Sequence, residues 1–135
     1  MYEPLELINN IKESLKSIIK ENNYKYLDDD ITILLKLYSS DLCSILISFF
    51  PDATIMINKK CYCCALMING KIYDSEGINS IDDFYAASSQ DILFIKRSFP
   101  HLSENIMDKL VEKVSNEENS KSKSYTLRKE HDNII

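Results

Sequence analysis

Leu5, Ile8, Ile11, Leu15, Ile18 and Ile19 recur at steps of three and four residues, so the first apolar positions of the chain form one stripe on a helix. Pro4 suits the first helical position and Asn22-Asn23 mark an end, which predicts a helix over residues 4–21. Lys12, Glu13, Lys16 and Lys20 fall on its opposite, solvated face. Asp28-Asp29-Asp30 stands before Ile31, Leu34, Leu35 and Tyr38. Carboxylates at a helix start accept amide hydrogen bonds and suit the dipole, so a short second helix is expected near residues 30–38. Ser39-Ser40-Asp41 offers another cap, and residues 42–50 read as a third helix ended by Pro51. That break places Cys43 in the first turn of a new helix, where backbone N–H groups and the positive dipole end lower a thiol's pKa.

From Asp52 the apolar period shortens to two. Residues 53–58 (ATIMIN) read as a strand, Lys59-Lys60 as a turn, and residues 61–68 as a second strand. A third strand over residues 71–74 returns across Asn69-Gly70, the strongest short hairpin signal a sequence offers. A two-residue loop pairs Ile68 with Lys71 and sets Ala65 opposite Asp74. Alternation then groups Cys61, Cys63, Ala65, Asp74 and Glu76 on one face, and Tyr62, Cys64, Leu66 and Tyr73 on the other. Cys63 and Asp74 become diagonal neighbours, and a helix packed on their face brings Cys43 alongside them.

Beyond Gly77, Ser80-Ile81-Asp82-Asp83 starts a short helical turn. Ser88 and Asp91 have the shape of a capping box before Ile92, Ile95 and Phe99, with a strand over residues 92–95 as the rival reading. Ser103 caps a last amphipathic helix through Ile106, Leu110 and Val114. From Ser115 the chain turns polar with balanced charge and buries too little surface to offset its ordering entropy. The expected class is therefore α+β: N-terminal helices packed on a small antiparallel β-meander, followed by C-terminal helices. Residues 1–114 form a single globular domain in this reading, and residues 115–135 a flexible tail.

Composition narrows the function. The 135 residues are 44% apolar and 27% charged, ordinary values for one globular domain. A net charge of −5 argues against sequence-independent nucleic-acid binding, which needs a basic face. No run reaches the ~18–20 apolar residues that span a bilayer. The opening MYEPLELINN lacks the basic and apolar regions of a secretory signal. The expectation is a cytoplasmic chain without membrane contact, its four cysteines reduced. No G-x-S-x-G or H-E-x-x-H motif is present, Gly70 and Gly77 are too few for a phosphate loop, and no cofactor is called for.

The segment CCALMINGKIYD (63–74), with FPDA at 50–53 and Cys43 upstream, resembles small phage and bacterial papain-like or transglutaminase-like cysteine proteins. In those proteins a helix-starting cysteine precedes a strand whose histidine opens a pattern similar to H-V-x-V-x-I-x-G-K-x-Y-D. The resemblance covers roughly residues 40–78. Carried over by position, it implies Cys43 as nucleophile, Asp74 as orienting carboxylate, and Cys63 where the histidine is expected. A thiol has no pair of ring nitrogens with which to be oriented and to accept a proton, so the resemblance implies the scaffold without its base. His101 reads as a surface-loop residue and His131 falls in the tail.

The function this implies is a non-catalytic protein-binding module, a phage-type accessory or host-defence-inhibiting (anti-CRISPR-like) protein whose partner is another protein. Homo-oligomerisation stays open. One alternative is a cysteine-nucleophile enzyme using Cys43 with Asp74, Glu76 or a tail histidine. Another is a metal site built from the strand thiolates, Cys43 and a carboxylate. Beside these stands the plain reading of Cys43, Cys63 and Cys64 as small buried hydrophobes.

Overall fold

The computed structural model describes residues 2–22 and 30–134, with side chains through Ser120. Helix α1 spans Pro4–Glu21, the bounds the sequence predicts. Its end is tied by Asn22, whose side-chain amide donates to the Ile18 carbonyl at 2.8 Å. Leu7, Ile8, Ile11, Leu15 and Ile18 form the buried stripe, while Leu5 of the predicted stripe is exposed.

Helix α2 (Ile31–Leu37) is capped by Asp30, whose carboxylate accepts from the Thr32 and Ile33 amides. Asp28 and Asp29 of the expected acidic cap lie outside the described residues. The chain turns at Tyr38 and leaves as α3 (Ser39–Phe49) at 91° to α2. Helix α3 therefore begins three residues earlier than the pattern suggests, because Tyr38 rather than Asp41 occupies the break. Among the described residues no single helix is long and apolar enough to cross a membrane.

Strands β1 (Thr54–Asn58), β2 (Cys64–Ile68), β3 (Lys71–Asp74), β4 (Gly77–Asn79) and β5 (Phe84–Ala86) form one antiparallel sheet ordered β4-β3-β2-β1-β5. The predicted register holds: Ile68 pairs with Lys71 and Leu66 with Tyr73. Asn69 at φ 51° and Gly70 at φ 81° make the left-handed pair that a two-residue hairpin matching the strand twist requires. A 3₁₀ turn at Ile81–Asp83, where the sequence predicts a helical turn, leads to β5, which pairs with β1 at the opposite edge.

Helix α4 (Ser89–Ser98) opens on a complete capping box between Ser88 and Asp91, which decides for helix over strand. Helix α5 runs over Glu104–Ile134, its first turn capped by Ser103. The break expected at Ser115 is absent. Glu118 is buried and accepts a hydrogen bond from Asn10 on α1 at 2.9 Å, so a polar segment docks through polar partners where apolar ones run out. Glu and Lys are also good helix formers, which a reading based on apolar content alone undervalues.

The sheet has two distinct faces. Leu66, Ile68 and Tyr73 join Leu7, Ile11 and Leu15 of α1, Leu35 of α2, Leu42 and Leu46 of α3, and Ile106 and Leu110 of α5 in the main core. Burying each such leucine or isoleucine stabilises the fold by roughly 1.5–3 kcal/mol. Cys64 and Ile57, on the same face, meet Cys43 and Ile95. Met56, Ala65, Ile72 and Phe84 form a smaller cluster on the other face. The fold is α+β, with helices from both ends of the chain around an antiparallel sheet.

Candidate functional site

Cys43 is the fifth residue of α3, past its first turn, and is 4% exposed. The helix-start activation expected of it is therefore not built. Helix α3 also covers the sheet face opposite to the expected one, so Cys43 meets Cys64 and not Cys63. The neighbouring Cys64 thiol, reinforced by burial, pushes its pKa well above the ordinary thiol range. Cys64 is shifted the other way. The adjoining Cys43 thiol lowers its pKa, burial works against this, and Ser39 lowers it further. Ser39 Oγ in turn accepts from the Cys64 amide at 3.0 Å, which ties the start of α3 to the start of β2.

Cys61 and Cys63 are not on a strand. Asn58 Oδ1 accepts from the Lys60 and Cys61 amides at 2.8 and 3.3 Å, and Tyr62 adopts φ 58°. This turn ends the alternation that would have aimed both thiols at Asp74. Cys63 Sγ stands 3.8 Å from the Cys61 carbonyl, and burial first, then the Cys61 side chain, pushes its thiol up to about 12. A thiol held protonated offers no base at neutral pH.

Asp74 and Glu76 are engaged in the β3–β4 turn. Asp74 Oδ1 accepts from the Glu76 amide at 2.8 Å, and the Glu76 carboxylate pairs with Lys36 of α2 at 2.8 Å. The remaining expectation concerned the histidines. His101 is not a free loop residue: Nδ1 lies 3.1 Å from Asp41 Oδ1 and Nε2 lies 2.8 Å from the Lys96 carbonyl. Both ring nitrogens face acceptors, so the doubly protonated ring is the form that satisfies the site. The side chain of His131 lies outside the described residues. Among the described residues no three His, Cys, Asp or Glu side chains gather as a metal site would require.

Two concavities accompany these groups. One, of about 250 Å³, is lined by Cys43, Cys64, Ile55, Ile95 and Lys96. The other, of about 450 Å³, lies where the β2–β3 hairpin meets the end of α3 and the residues before α1. Tyr2, Phe49, Phe50, Met67 and Tyr73 line it, with Glu3, Asp52 and Lys71 around them. The Tyr2 ring stands edge-on to Phe49 at 4.9 Å and to Phe50 at 6.4 Å. Phe50 leaves the helical conformation at the end of α3 (φ −128°, ψ 72°), and these two consecutive aromatics border one groove. The sequence signal for this groove is the Phe49-Phe50-Pro51 run at a helix end, joined by a tyrosine from the opposite end of the domain core.

Comparison of the chain with protein-family models, curated proteins and solved structures found no match.

Proposed function

We propose that this chain is a non-catalytic protein-binding module whose contact surface is the groove between Tyr2, Phe50 and the β2–β3 hairpin. The observation that carries this reading is the convergence of Tyr2, Phe49, Phe50 and Tyr73 on one concavity of about 450 Å³. Aromatic rings supply large contact area at small entropic cost, and they are the side chains that anchor most protein interfaces. Glu3, Asp52 and Lys71 in the same lining suit a segment that presents an apolar anchor flanked by charges of both signs. The non-catalytic part of the reading is supported by the engagement of His101 with Asp41 and Lys96, and by the protonated state of Cys63. The narrower role, inhibition of a host-defence protein, rests on the resemblance of residues 40–78 alone.

Selection of a displayed random-peptide library on the immobilised protein tests this directly. Enriched sequences share an apolar or aromatic anchor, and a variant carrying Tyr2→Ala and Lys71→Glu, both at exposed positions, fails to retain them. Peptides that bind this variant as well as the parent overturn the placement of the surface. A selection that enriches nothing counts against the binding module.

A further inference from the structure

The smaller concavity lies where α3 and α4 meet β1 and β2, and it shares no residue with the aromatic groove. Ser40, Cys43, Ser44 and Ile47 recur at three- and four-residue steps, so a single stripe of α3 lines it. The main core takes Leu42, Ile45 and Leu46 of that helix instead. Ile92, Ile95 and Lys96 line the cavity from α4, and Ile55 and Cys64 from the sheet. Of the ten residues of α4 only Ile95 is buried, so this helix brings too little apolar surface to fill the space beside α3.

Burial and chemistry are graded across the cavity. Cys43, Cys64 and Ile95 are buried, Ile47, Ile55 and Ile92 are half-buried, and Ser44 and Lys96 are exposed. Lys96 is the only charged residue of the lining. Among the described residues no carboxylate pairs with its ammonium. We propose that this cavity binds a free medium-chain aliphatic carboxylate, its chain among the isoleucines and cysteines and its head group at the rim beside Lys96 and Ser44.

Three features choose this ligand class. Apolar walls with a few polar groups at one end fix the direction of an amphiphile. A lone cation at the rim, in a chain of net charge −5, selects an anionic head and disfavours a cationic one. A phosphorylated head would ask for more charge and more donors than one lysine and two serines supply. Size sets the chain length. Apolar cavities of ~150 Å³ accept benzene, and by that proportion a cavity of about 250 Å³ holds roughly ten non-hydrogen atoms, as many as octanoate has.

The test titrates octanoate, below its micellar concentration, into the isotope-labelled full chain. Saturable NMR shifts are expected at residues 40–47, 55, 64 and 92–96, with residues 2–4 and 67–73 unmoved. Butanoate is expected to bind about tenfold more weakly or worse, because it buries fewer methylenes. Octylamine, with the same chain and the opposite charge, is expected not to bind. Lys96→Gln, whose main-chain carbonyl can still face His101, is expected to lower octanoate affinity several-fold. Ser44→Phe sets a ring at the mouth of the cavity and is expected to abolish binding. Both substitutions fall at exposed positions, so the fold tolerates them. Octanoate shifts that never saturate, that centre on the Tyr2 and Phe50 groove, or that octylamine reproduces overturn the proposal. So does a Lys96→Gln variant with the parent's affinity.

Discussion

His101 closes on Asp41, 60 residues earlier in the chain, with Nδ1 3.1 Å from one carboxylate oxygen. The Leu102 amide takes the other oxygen at 2.7 Å, so a single buried carboxylate pins the start of α3 to the connection between α4 and α5. The Lys96 carbonyl, then Asp41, raises the pKa of His101. A raised folded-state pKa means that the stabilisation is complete below the unfolded value of about 6.5 and is lost as pH rises through the folded value. The urea midpoint of the parent protein is therefore expected to fall, relative to that of His101→Gln, as pH increases from 6 upward. With the imidazole 41% exposed, the difference is small. A difference that grows with pH contradicts the assignment.

Asp41→Ala acts through a different group. It leaves the buried Leu102 amide without its acceptor, and an orphaned buried donor costs about 1–3 kcal/mol. Denaturant unfolding is expected to show that loss at every pH where His101→Gln shows little. Equal losses in the two variants at pH 8 contradict it.

Gly70→Ala isolates backbone strain. A Cβ built on Gly70 meets nothing within 4 Å, but the φ of 81° remains unsuitable for alanine. The expected cost is about 1 kcal/mol, read from unfolding curves, with the hairpin register unchanged by NMR. Asn69→Gly is expected to fall within a few tenths of a kcal/mol of the parent.

Asn10→Ala tests the docking of α5 past Val114. It removes one donor from the buried Glu118 carboxylate and leaves Ser14 without the Asn10 oxygen 3.1 Å away. A loss of about 1–2 kcal/mol is expected, with faster amide exchange around residues 112–120. Unchanged exchange there contradicts the role of this contact in holding the helix.

What the sequence made legible was local. Pro4 and Asn22 bracketed α1, Ser88 and Asp91 announced α4, and Asn69-Gly70 set the β2–β3 register, because each signal is carried by neighbouring residues. The misreadings came from three physical causes. A period of two defines two faces but not which one a helix covers, so α3 was expected beside Cys63 and packs beside Cys64. Tyr62 at positive φ, held by the Asn58 turn, breaks an alternation that tyrosine and cysteine in a β-prone run otherwise suggest. Asp41–His101, Asn10–Glu118 and the pairing of β5 with β1 join distant segments, and polar contacts of that kind leave no periodic trace. The aromatic groove belongs with these, since Tyr2 reaches Phe49 only once α1 and α3 have packed.

The reading of the chain as a binding module is tested most directly by an NMR titration with an anchor peptide enriched on the protein. The account predicts saturable shifts confined to residues 2–4, 49–53 and the hairpin over residues 67–73, abolished in the Tyr2→Ala, Lys71→Glu variant. Saturable shifts centred on α4 or on the β4 edge, with these three segments unmoved, would contradict it.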